Sequence, residues 1–123
     1  VVADVLDDLG SDVELLTGAG VDRTSIVADP GIGFAKTAAQ SVELMRNISR
    51  LRTDLALPLL VGSSRKSFIG SVTGEPLESR EFGTAATVAL AIQRGVDIVR
   101  VHDVKNMASV VRMSDAIVRG RDD

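Results

Sequence analysis

Polar and charged residues cluster at three points of this chain, each directly after a short apolar run. The clusters are Asp29, then residues 63–67 with Lys66, and then Arg100 with His102. In parallel α/β folds the carboxyl ends of the strands form the rim at which ligands bind. The spacing therefore predicts one ligand site that offers groups of complementary charge.

Two of these residues also suit purely structural roles. Asp29 precedes Pro30 and Gly31, a common position for a turn residue, and His102, the only histidine, would serve as a hydrogen-bonded core imidazole. Because strand side chains alternate, Arg100 and His102 share one face, and the valines beside them would face the helices. Complementary charge at three strand ends favours the site.

The glycine-rich segment 31–37 matches neither phosphate motif that its glycines suggest. Ala35 stands where a P-loop needs the glycine before Lys36, and the third glycine of a dinucleotide fingerprint is absent. We interpret Lys36 as a solvated cation of the loop and Phe34 as a ring that lines a ligand pocket. Three nearby hydroxyls also suit helix caps, namely those of Ser63, Ser64 and Ser67.

Three apolar runs are predicted to be strands, and helices are predicted between them. The strands are 25–28, 59–61 and 97–102, which end before Asp29, Gly62 and Asp103. Thr37 and Gln40 have the spacing of a capping box. Apolar residues at helical spacing predict three helices, whose stripes are Val5, Leu9, Val13 and Leu16, then Leu44, Ile48, Leu51 and Leu55, and then Val104, Met107, Val111 and Val118. Asp103 is predicted to cap the last of these. The alanine-rich residues 82–94 predict a fourth helix.

Composition excludes several classes of protein. The 123 residues are 45% apolar and 25% charged, which is too apolar for a disordered chain. A net charge of −3 is the wrong sign for a nucleic-acid surface, and no apolar run approaches the roughly 20 residues that cross a membrane. With no cysteine, a reducing compartment is expected, and the cytoplasm is the default. The chain opens inside an apparent helix, so we interpret it as part of a longer protein.

Strands that alternate with helices predict an α/β fold with parallel pairing and right-handed crossovers. Three strands do not close a barrel, and a (β/α)₈ barrel needs about 250 residues, so this chain would hold less than half of one. An open three-stranded sheet fits the same pattern. The periodicity alone leaves both architectures open.

Four blocks, in order and at matching separations, resemble dihydropteroate synthase: residues 29–37 (DPGIGFAKT), 61–70 (VGSSRKSFIG), 83–86 (GTAA) and 99–103 (VRVHD). The resemblance extends over essentially the whole chain. It implies that residues 1–123 are one partial pterin-binding unit, the C-terminal part of a TIM (β/α)₈ barrel with strands six to eight. It also implies condensation of dihydropterin-methyl diphosphate with 4-aminobenzoate, giving dihydropteroate and diphosphate in folate biosynthesis.

The resemblance also assigns expected roles to individual residues. Asp29 is similar to the carboxylate that binds the pterin ring, Lys66 to the lysine that contacts the pterin, and Gly62 to the glycine that leaves room for it. Two residues, Phe34 and Ser67, match the lining of the aminobenzoate pocket. Arg100 and His102 match the anion site for the departing diphosphate. The expected catalytic residues are Lys66, Arg100 and His102.

The resemblance places other parts of the site outside this sequence. The Mg²⁺ ligand, further pterin-binding residues and two mobile loops belong to the first half of the family's barrel, so no metal ligand is expected among residues 1–123. It further implies a homodimer formed through the helices that follow the strands, and a target of sulfonamides. The expected partners are the two small-molecule substrates, without nucleic acid or membrane.

Two other functions compete with synthase activity. The pterin-binding domain of a folate-dependent methyltransferase shares the barrel but binds no diphosphate, and the pair Arg100 and His102 argues against it. A paralogue that binds pterin or phosphate without turnover is the second alternative.

Overall fold

The computed structural model describes residues 1–120. Six helices and two short strands follow one another in these residues, together with two single 3₁₀ turns at Arg23–Ser25 and Leu77–Ser79. The elements in chain order are α1 (Val2–Gly18), α2 (Ala38–Arg46), α3 (Ile48–Leu55), β1 (Leu60–Val61), α4 (Ser67–Thr73), α5 (Glu81–Gln93), β2 (Ile98–Val99) and α6 (Val104–Arg119).

The parallel pairing that the sequence predicts is present, but the strands are shorter. In the register of β1 and β2, Leu60 lies opposite Ile98 and Val61 opposite Val99. Ala28 forms a single parallel bridge to Leu59, and the Leu60 amide donates to the Ala28 carbonyl at 2.8 Å. The segment before Asp29 therefore lies on one side of β1 and the segment before His102 on the other.

The predicted strand 25–28 is wrong except for Ala28. Ser25 belongs to a 3₁₀ turn that Asp22 caps by accepting from the Thr24 amide. Pro30 then removes a donor shortly after the bridge, so the pairing cannot continue. The predicted strand 97–102 is reduced to β2, although the Arg100 amide still donates to the Val61 carbonyl at 3.0 Å.

The apolar stripe of the second predicted helix is buried, but it lies on two helices. Leu44, Ile48, Leu51 and Leu55 are all in the core. Asn47 separates α2 from α3, and its side-chain amide donates to the Glu43 carbonyl, a local bond that competes with helix geometry. The capping box of Thr37 and Gln40 is confirmed, with both of its hydrogen bonds formed.

The first helix is confirmed, although its stripe is only partly covered. Val13 is buried and Leu16 is 43% exposed. The short segment after Lys66 is a helix, α4, whose Phe68 and Ile69 are buried. This helix makes the polar cluster before it a strand-to-helix loop.

The helices at the carboxyl end of the chain pack against each other. The alanine-rich helix is confirmed as α5, which buries Val88 and Ala91. In α6, Asp103 caps the first turn as predicted, since its side chain accepts from the Asn106 amide. The predicted stripe of α6 is only half right. Met107 is buried and Val111 packs on the core, whereas Val104 and Val118 are exposed.

Across residues 1–120, no helix combines the length and the apolarity needed to cross a membrane.

Candidate active site

The structure brings the three polar clusters together at the carboxyl end of the sheet. The Nη1 atom of Arg100 lies 3.3 Å from Oδ2 of Asp29, so the outer two segments meet across the end of β1. A pocket of about 300 Å³ opens beside this pair, and its lining includes Gly62, Ser64, Lys66, Arg100, Val101 and His102. The rim that the strand ends predict is therefore formed.

The carboxylate of Asp29 makes both a turn contact and a contact across the rim. Its Oδ1 accepts the Gly31 amide at 2.9 Å, as a turn residue would. Its Oδ2 faces Arg100 across the rim. Because the turn bond uses one oxygen and fixes the carboxylate, the other oxygen is held toward the site.

Arg100 and His102 are both exposed and both line this pocket, although they follow the end of β2 at Val99. Val99 and Val101 pack against the core instead. Gly62 gives Arg100 its space, because a Cβ at that position would lie 2.6 Å from the Arg100 Nη2 atom. The sequence analysis expected Gly62 to make room for a ligand, and the structure shows that it also makes room for this guanidinium.

Lys66 lies between the clusters and is only partly exposed. Its ammonium group donates to the Ile32 carbonyl and lies 4.5 Å from the centroid of the Phe34 ring. Burial lowers the pKa of Lys66, and the positive charges of Arg100 and Lys36 lower it further, while the carboxylate of Asp29 opposes them. The rim thus holds an amine whose proton is easier to remove than that of a free lysine.

The glycine-rich loop presents Phe34 to solvent. The ring is 63% exposed and rests against Lys66. Lys36 is less free than a solvated cation, because its ammonium group donates to the carbonyls of Gly31 at 3.0 Å and Phe34 at 3.1 Å. At Gly33, φ is +82°, and a Cβ would lie 2.7 Å from Cδ of Lys66, so this position needs glycine.

The serines of the second cluster do not cap α4, so that expectation is wrong. No side chain caps this helix, whose N-cap is Lys66. Ser63 is hydrogen-bonded to Thr87 at 2.8 Å, and Ser64 to Nδ1 of His102 at 2.7 Å. Ser67 is the exposed first residue of α4. The serines instead tie the loop to its neighbours.

Three residues of α5 and its approach hold this loop, and the sequence analysis missed all three. Arg65 has a φ of +57°, the left-handed conformation that costs a side-chain-bearing residue free energy. Thr84 accepts the Arg65 amide at 3.0 Å, Arg80 donates to the Arg65 carbonyl at 3.0 Å, and Glu81 pairs with the Arg65 guanidinium at 2.7 Å. The available signal was Thr84 itself, which lies in the block at residues 83–86 and is one of two threonines in α5.

The donor set of this rim does not fit a divalent metal ion. Asp29 is its carboxylate, and the cations Arg100 and Lys66 lie beside it. Within residues 1–120, no group of three histidine or acidic side chains is arranged to hold a metal ion. We therefore assign no chemical step in this segment to a metal.

The geometry suits a ligand with a hydrogen-bonding ring and an anionic group. Asp29 offers a fixed acceptor, while Arg100 and His102 offer donors from a shared strand end. The exposed ring of Phe34 supplies an apolar surface at the same rim.

A family model and the curated relatives of this chain both belong to pterin binding enzymes. Residues 1–102 match the family described as pterin binding enzyme. The chain is 48% identical over 115 residues to a dihydropteroate synthase of Bacillus subtilis, covering 94% of this chain and 40% of that protein. It is 50% identical over 108 residues to one from Synechocystis, covering 87% and 37%.

Solved structures agree with these relatives. A dihydropteroate synthase from Clostridium difficile, determined with pteroic acid, superposes with a TM-score of 0.91 at 43% identity, covering 96% of this chain and 44% of that one. The Yersinia pestis enzyme in complex with a sulfonamide drug gives 0.91 at 32% identity, covering 98% and 43%. The chain spans about two fifths of the length of the dihydropteroate synthases from Bacillus subtilis, Synechocystis and Clostridium beijerinckii that it matches.

Proposed function

The chain belongs to the pterin binding enzyme family, and from that premise we propose that it forms part of a dihydropteroate synthase. The enzyme would join dihydropterin-methyl diphosphate to 4-aminobenzoate, releasing diphosphate. The observation that carries this proposal is the rim on which Asp29, Lys66, Arg100 and His102 meet.

The fold assignment follows from the same premise. The structural neighbours imply a TIM barrel, and we place this chain at strands six to eight, with residues 1–123 as one unit. The remaining strands would come from outside this sequence, and their edges would cover the unpaired sides of the Ala28 segment and β2. The family's Mg²⁺ would be bound by that other part, since the rim described above does not suit a cation.

The proposed pterin site lies around Asp29. Its fixed carboxylate would accept N–H groups of the pterin ring, and Lys66 would donate to the ring's acceptor atoms. Gly62 would leave room for the pterin beside the guanidinium of Arg100. Phe34 and Ser67 would line the aminobenzoate pocket, the first through its exposed ring and the second through its hydroxyl.

The proposed anion site lies at Arg100 and His102. The amine nitrogen of aminobenzoate attacks the methylene carbon of the pterin substrate, the bond from that carbon to the diphosphate oxygen breaks, and the amine loses a proton. Negative charge grows on the departing diphosphate, so donors fixed near that group stabilise the transition state. The guanidinium of Arg100 matches phosphate geometry, and the His102 ring supplies another donor.

Two further proposals concern the whole protein. We assign it to the cytoplasm, where its substrates would be small molecules. We also infer a homodimer through the outer helices, because α5 and α6 expose apolar side chains, among them Leu90, Met113 and Ile117. Analytical ultracentrifugation of the intact protein should show a dimer, and a strictly monomeric protein would contradict the inference.

The function is tested by supplying dihydropterin-methyl diphosphate, labelled aminobenzoate and Mg²⁺ to two samples. The intact protein that contains this sequence should form dihydropteroate, and the 123-residue chain alone should not. Holding reactants in register is worth about 7 to 11 kcal/mol, which an incomplete site forfeits. No turnover by the intact protein would overturn the proposed function. Steady turnover by the 123-residue chain alone would overturn the proposal that part of the active site lies outside this sequence.

A further inference from the structure

Ser64 is the residue of this rim that no expected role absorbs. It is 6% exposed, whereas the His102 beside it lies at the surface. Its Oγ accepts the backbone amide of His102 at 3.1 Å and lies 2.7 Å from Nδ1 of the same residue. One buried hydroxyl thus holds both the backbone and the ring of the histidine.

Proton counting on this hydroxyl favours one protonation state of the imidazole ring. A serine hydroxyl has one hydrogen to donate. If Nδ1 carried the imidazole proton, the Ser64 Oγ atom would accept from both the backbone nitrogen and the Nδ1 atom of His102. The hydrogen of the Ser64 hydroxyl would then need a further acceptor. Among residues 1–120, the Nδ1 atom is the only acceptor that this hydroxyl meets. Leaving a buried hydroxyl without an acceptor is costly, which favours a hydroxyl that donates to Nδ1.

We propose that Ser64 is a positioning residue that holds neutral His102 as the Nε2–H tautomer, so that the ring presents a donor and not a lone pair to an anion on the rim. The choice matters because Nε2 is the ring nitrogen left for a ligand. In the other tautomer its lone pair would repel the oxygen of a phosphate group. The claim that an anion binds at this rim rests on the proposed function, whereas the claim about the tautomer of His102 does not.

The loop geometry lets Ser64 hold this position. Its neighbour Ser63 is bonded to Thr87, and the next residue, Arg65, is clamped in its left-handed conformation by Thr84. Since Thr84 and Thr87 both belong to α5, the hydroxyl of Ser64 is set by a helix and not by a free loop.

A nucleophilic role for Ser64 is a different hypothesis that the same contacts argue against. A serine nucleophile needs an accessible oxygen with a free lone pair directed at a substrate. Here the oxygen is buried and accepts a backbone amide. Labelling of Ser64 by a fluorophosphonate would overturn the positioning role, and its failure to label supports that role.

The direct test is ¹⁵N NMR of the histidine side chain in the intact protein, in alkaline buffer where an ordinary imidazole is neutral. His102 signals are assigned by their loss in His102→Gln. In the wild type we expect Nδ1 at the shift of an unprotonated acceptor and Nε2 at that of a protonated nitrogen. The reverse pattern, or averaged shifts, would overturn the proposal without any variant of Ser64.

Variants then connect the tautomer to binding. Ser64→Ala should move both nitrogen shifts toward averaged values and weaken the binding of inorganic diphosphate by about three- to tenfold, the loss expected for one hydrogen bond. Ser64→Thr, which keeps the hydroxyl, should restore both, and Ser71→Ala, an exposed hydroxyl of α4, should change neither. Unchanged shifts and affinity in Ser64→Ala would refute the positioning role.

The two proposals fail in different ways. If the protein is not a synthase, the nitrogen shifts still report the tautomer while dihydropteroate is not formed. If Ser64 does not position His102, dihydropteroate is formed while Nδ1 carries the proton.

Discussion

The guanidinium of Arg100 lies 3.3 Å from the carboxylate of Asp29, although 71 positions separate the two residues in the chain. The pair joins the segments on either side of β1. Both side chains are partly exposed, so the pair contributes little to stability by itself. The ion pair instead orients the two side chains, because each charged group is held where it would contact a ligand at the rim.

Arg100→Ala in the intact protein should lower turnover with the diphosphate substrate by about ten- to a hundredfold, the effect of losing a charge-assisted bond to the leaving group. Steady-state kinetics measures the change. Arg50→Ala removes an equally charged side chain from an exposed pair on α3 and serves as the control. Equal losses in both variants would argue against the anion site.

Lys66 should lose its proton at lower pH than a free lysine side chain, because its pKa is lowered chiefly by burial. Mass spectrometry measures how the acylation rate of each lysine depends on pH. The pH midpoint of that dependence does not depend on how accessible the amine is to the reagent. Asp29→Asn should lower the Lys66 midpoint further, since the carboxylate favours the charged amine. A midpoint for Lys66 at or above the ordinary lysine value of 10.5 would contradict the electrostatics of the rim.

The same shift has a consequence for stability. Between the lowered pKa of folded Lys66 and its ordinary value of 10.5, the unfolded chain binds the proton more tightly than the folded one. Below that window the cost of keeping the amine charged is fully present. Lys66 therefore makes the free energy of unfolding increase with pH through this window, an increase that Lys66→Gln should reduce in urea titrations of the intact protein.

Thr84→Val should destabilise the protein by about 1 to 3 kcal/mol, because the Arg65 amide would lose its acceptor in a buried place while the side-chain volume is kept. Urea unfolding of the intact protein measures the loss. Thr84→Ser, which keeps the hydroxyl, should recover part of it, and Thr53→Val on the exposed face of α3 should cost little. A Thr84→Val variant as stable as the wild type would show that Arg65 does not need this clamp.

Ala56→Gly should raise stability by up to about 1 kcal/mol. Ala56 ends α3 with a φ of +52°, and relief of roughly 1 to 2 kcal/mol of left-handed strain exceeds the added freedom of glycine in the unfolded chain. Ala56→Val should do the opposite, because a β-branched residue tolerates this conformation least. Thermal unfolding compares the two, and a lower melting temperature for Ala56→Gly would contradict the strain argument.

Residue spacing by itself determined the alternation of apolar runs with helices and the positions of α1, α5 and α6. The capping box at Thr37, the cap at Asp103 and the buried stripe from Leu44 to Leu55 depend on residues three or four positions apart, so local sequence specifies them. It also determined which polar residues follow the apolar runs. That order was sufficient to predict that Asp29, Lys66 and Arg100 share a rim.

Only the tertiary structure decided how those residues are held. The left-handed Arg65, the Ser64 bond to His102 and the Arg100 contact with Asp29 each depend on partners 15 or more positions away. It also decided that Ala28 forms a bridge and not a strand, and that Val104 and Val118 face outward. Such features arise because a polar group forms a hydrogen bond with the partner that tertiary packing places next to it. The spacing of residues along the sequence does not specify which distant residues become neighbours in space.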